Sequence, residues 1–321
     1  MMDKWQPGAS LDTLRRRAAM LSCVREFFEQ RSVLEVDVPV MGKATVTDLN
    51  IDSIVTSVVG ELGYLQTSPE YFMKRLLASG SGDIYFMGKA FREGEIGIKH
   101  NPEFTMLEWY RCGWDDHQLM AEVAELIRLL LRGEKDISID VNKLSYSDCF
   151  FDHLGFDPHG ADLRALQLLA AKLASDSWID ETRANCLDLI FSSQVEPYLA
   201  GGITIIYDYP ECQAALAQIS SNRAGQNVSR RFEAFVNGVE IANGYLELID
   251  AGEQAVRLER DSKARERLKK PAVDIDQKFL AALNSGVPAC AGVAIGLDRL
   301  LMGALGVDSI DQALAFSWLR C

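Results

Sequence analysis

The sequence predicts an α+β fold: a mainly antiparallel sheet flanked by helices. Three observations lead there. Alternating apolar segments joined by short turns outnumber strand–helix–strand crossovers. Segments of helical period stand before, between and after the strand groups. Neither G-x-G-x-x-G after a strand nor G-x-x-x-x-G-K-[ST] occurs, so a doubly wound nucleotide-binding sheet is not indicated.

The elements follow in order. Leu11–Gln30 is an amphipathic helix, with Leu14, Ala18, Leu21, Val24 and Phe28 recurring at steps of three and four. Leu34–Val40 alternates as a strand, and Pro39, lacking an N–H, puts it at an edge or ends it. Ile51–Val59 and Tyr64–Thr67 form a hairpin around Gly60 and Gly63. Pro69 opens a short helix through Leu77, which Gly80-Ser81-Gly82 stops. Ile84–Phe91 and Phe104–Tyr110 are strands separated by the polar loop Glu93–Pro102, and His117–Arg132 is a helix. Residues 133–203 have mixed helical periodicity and read as an insertion into one catalytic domain spanning 1–321. Strands resume at Thr204–Tyr209, Arg231–Asn237 and Val239–Leu248, followed by a charged helix over Ala251–Lys270. Ala289–Ile295 is an apolar strand, leading into a helix over Asp298–Leu305 with Asp298 as its N-cap.

Composition removes several functions. The 321 residues carry 33 Lys and Arg against 46 Asp and Glu, a net charge of −13, which argues against broad phosphate neutralisation and hence against tRNA as a partner. Lys263–Lys270 alternates in sign and reads as an exposed helix face. Seven cysteines without a Cys-x-x-Cys pair indicate a reducing, cytoplasmic setting, not a disulfide framework. The four histidines have no zinc-ligand spacing. No window approaches the ~20 apolar residues needed to span a bilayer, so no membrane role is expected.

Three stretches carry chemistry. In Gly88–Glu95 and Lys99–Tyr110, Arg92 offers a forked guanidinium to a phosphate, Phe104 a flat face to a base, and Lys99 and His100 charge at the loop end. In Arg231–Asp250, Glu233, Glu240 and Glu247 are spaced along an apolar, Gly-turned strand pair. Buried carboxylates there need a partner or a metal, and their hard oxygens suit Mg²⁺; the alternative is that one or two of them face solvent. In Gly292–Leu300 small residues let a ligand lie against the backbone, with Arg299 in the first turn of the helix that follows. A strand–helix junction chosen for close packing reads equally well there.

Together these stretches resemble motifs 2 and 3 and the substrate strands of class II aminoacyl-tRNA synthetases, and Leu11–Val40 resembles motif 1, the dimer-forming element. Within the class, the runs 67–77 and 100–110 are similar to lysyl-tRNA synthetase. The core begins almost at Met1, leaving no room for an anticodon-reading domain. A lysyl-like core of this kind, with Ala217–Ser220, Pro288–Cys290 and Gly292–Gly296, resembles the ligases that join (R)-β-lysine to elongation factor P.

The resemblance implies a homodimer that uses ATP and Mg²⁺, with elongation factor P and lysine or β-lysine as partners. It assigns Arg92 to the α-phosphate and Phe104 to adenine, helped by Glu93, Gly94 and Asn101. His100 and Arg299 would hold pyrophosphate, with Glu240, Ile241 and Gly296 completing the ATP site. Glu233 and Glu240 would carry Mg²⁺. Ser68, Pro69, Glu70, Glu108, Tyr110, Asn243, Glu247 and Ala294 would form the amino-acid pocket. In it Glu70 would meet one amine, Glu247 (supported by Glu108) the distal ammonium, and Asn243 the carboxylate. The chain departs from the family pattern at three places: Gly94 replaces a glutamate, and Ser32 and Ala294 replace glycines. Two other readings stay open: a lysyl-tRNA synthetase paralogue acting on tRNA or a small amine, and a catalytically silent synthetase-like dimer.

Overall fold

The computed structural model describes residues 5–132, 140–199 and 201–321; parts of the 133–203 segment, residues 133–139 and 200, lie outside the described residues. The chain divides into two compact units, one built from the stretch up to Trp114 together with Leu248–Cys321, the other from Asp115–Glu247.

In chain order, the first unit opens with helix α1 (Leu11–Glu29), strands β1 (Leu34–Glu35), β2 (Met41–Gly42), β3 (Val55–Val58) and β4 (Glu61–Leu65), helix α2 (Glu70–Ala78), and strands β5 (Ile84–Phe91) and β6 (Glu103–Cys112). The second unit follows: α3 (Asp116–Leu130), β7 (Val141–Ser145), α4 (Tyr146–Leu154), α5 (Leu163–Leu173), α6 (Arg183–Gln194), β8 (Ile203–Pro210), β9 (Ile219–Ser221), β10 (Asn227–Val236) and β11 (Val239–Leu246). The chain then returns to the first unit with α7 (Ala251–Arg267), α8 (Gln277–Gly286), β12 (Cys290–Gly296) and α9 (Leu297–Leu305).

In the first unit β5 and β6 pair antiparallel, β12 joins β6 antiparallel, and β1 lies parallel on the outer side of β5. Period-two alternation gives this sheet two different faces. One carries Tyr85 and Trp109, which pack on Phe28 of α1: the Phe28 and Tyr85 rings stack at 4.5 Å, and Trp109 meets Phe28 edge-on at 5.3 Å. The other carries Phe86, Glu108 and Tyr110. At one end α2 and α8 cover it, burying Met73, Leu77, Phe279 and Leu283 with Ile84, Phe86 and Tyr110. Gly88 leaves the space that the Phe86 ring occupies, since a Cβ there would overlap the ring.

The second unit's sheet runs β11-β10-β8-β7, antiparallel except for the parallel β7–β8 edge. Tyr146, Phe150, Ile190, Phe191, Tyr209 and Phe235 form its core under α4–α6. The fold class is the α+β arrangement expected from the hairpins, and the parallel pairs are confined to edge strands.

Several elements differ from the sequence reading. The strand expected over 34–40 shortens to Leu34–Glu35; Val36 still donates to Tyr85, and the ladder stops before Pro39. The hairpin turn is tighter than expected, only Val59-Gly60, with both residues at positive φ (53° and 82°). Helix α8 and the short strands β7 and β9 were not legible. Phe279 and Leu283 at i, i+4 after the N-cap Asp276 are the signal for α8. Asp298 is not the N-cap of α9. That position is Gly296, without a side-chain cap, and Asp298 turns inward. Ser32 sits at φ 55°, the left-handed conformation that a glycine would take freely.

Candidate active site

The β5–β6 hairpin places the first group of residues. Arg92, just past β5, is fixed by its N–H donating to Pro102 at 2.9 Å. Its guanidinium lies 5.2 Å from the centroid of Phe104 and 3.4 Å from a Glu95 carboxylate oxygen. Gly94 turns the loop at φ 77°, and the Glu93 N–H is held by the Asp52 carbonyl at 2.8 Å. The acidic side chain beside Arg92 is therefore Glu95, one place after the glycine.

His100 stands in a cationic neighbourhood. Although His100 is exposed, partial desolvation first, and then the Arg299 guanidinium, hold its pKa below the usual histidine range; Glu95 acts in the opposite sense, and Arg92 and Lys99 reinforce the depression. The loop and the start of α9 thus bring His100, Arg299 and Arg92 into one field. Asn101 is used internally: its Nδ2 donates to Glu103 O at 2.6 Å and its Oδ1 accepts from the Trp318 N–H at 2.8 Å.

Asp298 ties three elements together. Its carboxylate accepts from Arg17 of α1 at 2.5 Å and from the Thr105 N–H at 2.7 Å, while Arg17 also donates to the Thr105 hydroxyl at 2.6 Å. The residues after Phe104 and before Arg299 are thereby clamped to one another. No sequence signal marks Arg17 for this task, because its partner lies 281 residues away.

Further along the same face, Glu108 is buried and accepts from the Tyr110 hydroxyl at 2.7 Å. Ala294 of β12 stands directly across from Glu108, Gly292 from Tyr110 and Gly296 from Met106. Glu70, in the first turn of α2 after Ser68 and Pro69, pairs with Lys74 at 2.6 Å; Lys74 is only 1% exposed, so Glu70 already neutralises one buried ammonium.

The second unit places the remaining group on the β10–β11 hairpin, turned by Asn237-Gly238 with both residues at positive φ. Glu233 stands opposite Asn243. A register shift beyond Ala234 leaves Ile241 without a counterpart and sets Glu240 opposite Phe235. Glu233 is engaged through both oxygens, one by Arg231 and the other by the Tyr209 hydroxyl at 2.6 Å. Glu247 is buried, and its carbonyl accepts from Gln218 at 2.9 Å.

Mg²⁺ takes near-octahedral oxygen coordination and usually binds through one or two carboxylates together with substrate phosphates. Glu233 does not suit a metal in this arrangement, because Arg231 and Tyr209 occupy its oxygens. Half-buried Glu240 has the right chemistry. Among the described residues no three His, Cys, Asp or Glu groups cluster closely enough to hold a metal by themselves.

The family model for class II tRNA synthetases (D, K and N) matches residues 3–320, and the chain belongs to that family. Three similar proteins are each named elongation factor P–(R)-β-lysine ligase. The one from Proteus mirabilis is 47% identical, covering 98% of either chain. That from Photorhabdus laumondii is 45% identical over 98% of this chain and 97% of its own, and that from Vibrio cholerae 45% over 98% of both.

Proposed function

We propose that this protein is an ATP-dependent ligase that activates (R)-β-lysine as an adenylate and transfers it to a lysine side chain of elongation factor P. Near-half identity to ligases of that name, over almost the whole of both chains, carries the choice within the family. The geometry supports ATP use: Phe104 offers a ring beside Arg92, and His100 and Arg299 share its field.

In the first step the substrate carboxylate oxygen bonds to the α-phosphorus and pyrophosphate leaves. In this reading Phe104 stacks on adenine and Arg92 offsets charge that develops at the α-phosphate. His100 and Arg299 receive the departing pyrophosphate. The two substrate ammonium groups need carboxylates once out of water, and Glu108 and Glu247 are the candidates, with Glu70, whose charge is already matched by Lys74, offering a substrate amine a hydrogen bond only. In the second step the neutral amine of the acceptor lysine attacks the adenylate carbonyl, AMP leaves and an amide forms. These are displacements, so positioning and charge stabilisation do most of the catalysis and no covalent enzyme intermediate is required. Mg²⁺, when bound with ATP, would offset phosphate charge, and Glu240 is the residue we assign to it.

We also propose a homodimer built on the region of α1 and β1. β1 is an edge strand, and Leu34, Val40 and Met41 nearby are exposed. The two compact units make up one catalytic domain in this reading, since the family model spans both.

Elongation factor P incubated with the protein, ATP and (R)-β-lysine should gain the mass of one lysyl residue. An unchanged mass alongside a charged tRNA would replace this reading with tRNA aminoacylation. Absence of ATP–pyrophosphate exchange with either α- or β-lysine would favour a silent dimer.

A further inference from the structure

Arg231 lies on β10 opposite Tyr245, two residues before Glu233. Within the second unit its guanidinium is held on every side. Nη1 donates to the Gln213 carbonyl at 3.1 Å, Nε donates to Asn243 Oδ1 at 3.2 Å, Nη2 pairs with Glu233, and the group lies 4.8 Å from the Tyr209 ring centroid. Gln213 is itself anchored to Asp188 of α6 through its side-chain amide.

A guanidinium carries donors and no acceptor. The atom of Asn243 that faces it must therefore be the carbonyl oxygen, since the flipped amide would set N–H against N–H. The Asn243 Nδ2 is turned the other way, and one of its hydrogens goes to the Tyr245 hydroxyl at 2.8 Å. The amide carries a second N–H. Glu233 neutralises the arginine, so its charge is matched locally and what it transmits is orientation.

We infer that Arg231 is a positioning residue that fixes the flip of Asn243, so that the amide presents an N–H donor, not a carbonyl, to the amino-acid carboxylate. This rests on Asn243 meeting that carboxylate. It also links the segment between α3 and β8 to the substrate: α6 holds Gln213 through Asp188, Gln213 holds Arg231, and Arg231 sets Asn243.

The test is a double-mutant cycle read by ATP–pyrophosphate exchange. Arg231→Lys keeps a charge for Glu233 but cannot fork between Gln213 and Asn243. The loss of a charge-assisted hydrogen bond to the carboxylate should raise KM for (R)-β-lysine about tenfold, with KM for ATP unchanged. Inhibition by cadaverine, which has two amines and no carboxylate, should stay the same. In an Asn243→Ala background the lysine substitution should have no further effect on KM. Additive effects, or an equal loss of cadaverine inhibition, would overturn the role of Arg231. An Asn243→Ala variant with unaltered KM would overturn the role of Asn243 itself, and with it the inference. Arg231→Gln serves for the same measurements if the lysine variant does not fold.

Discussion

His100 carries the clearest electrostatic consequence at the scale of one residue. Partial desolvation and the Arg299 guanidinium hold its pKa below the ordinary histidine range, which favours the neutral ring in the free protein. Phosphate charge beside it would raise that value again. Binding of ATP should therefore take up a proton in the window between the depressed free value and the raised bound value, and affinity should increase as pH falls through that window. Calorimetry of ATP binding near pH 6.5, in two buffers of different ionisation enthalpy, measures the uptake; none would remove His100 from the phosphates. Ser32 makes a second prediction. With its φ of 55°, Ser32→Gly should stabilise the folded chain by about 0.5–1 kcal/mol, read by urea denaturation. That a glycine is usual at this position came from the family resemblance, and the positive φ of Ser32 is what the structure adds. The engagement of Asn101 with Trp318 was not legible, because nothing local to Asn101 names a partner at the other end of the chain.

At the scale of elements, the two hairpins make an instructive contrast. The β10–β11 turn uses Asn-Gly, whose residues tolerate positive φ, whereas the β3–β4 turn puts a fully exposed valine at φ 53°. Val59→Asn should relieve that strain and raise stability by about 1 kcal/mol, with ATP–pyrophosphate exchange unchanged. A loss of stability in thermal melts would show that the valine is not strained in this turn. The clamp at Asp298 joins α1, β6 and α9. Asp298→Asn leaves the Arg17 charge without its counterion and should cost about 2–3 kcal/mol. It should also raise KM for ATP, because Phe104 and Arg299 flank the clamp. Unaltered stability and KM would show the clamp to be dispensable. The sequence placed Asp298 at the start of α9 but misread its direction. An aspartate at a helix start is by default a cap, and only packing against β6 turns it inward.

At the scale of the whole molecule, the net charge of −13 and the family membership bear on partners more than on fold. Carboxylates at 70, 108, 233, 240 and 247 supply part of that acidity. Two of them, Glu70 and Glu233, are paired with the protein's own Lys74 and Arg231. Leu34 on the edge strand β1 is 56% exposed. In the proposed homodimer a charge there would face the partner, so Leu34→Asp should shift the protein towards monomer in sedimentation velocity. A dimer of undiminished strength would move the interface away from β1.

By itself the sequence determined the α+β class, most of the longer strands and helices, and where along the chain the candidate site residues lie. Those depend on local periodicity and on residue type. The Phe104–Arg92 stack belongs with them, because a short hairpin brings the two together. The tertiary structure alone decided that Arg17 meets Asp298 and that Tyr209 of β8 meets Glu233 of β10; Glu70 with Lys74 is an i, i+4 pair on one helix, and Arg231 meets Glu233 and Asn243 within one hairpin. It also made Glu233 a counterion and Asn243 a donor of fixed orientation. A hydrogen bond selects its partner by distance in space, and for Arg17 and Asp298 that distance is set by elements 281 residues apart along the chain.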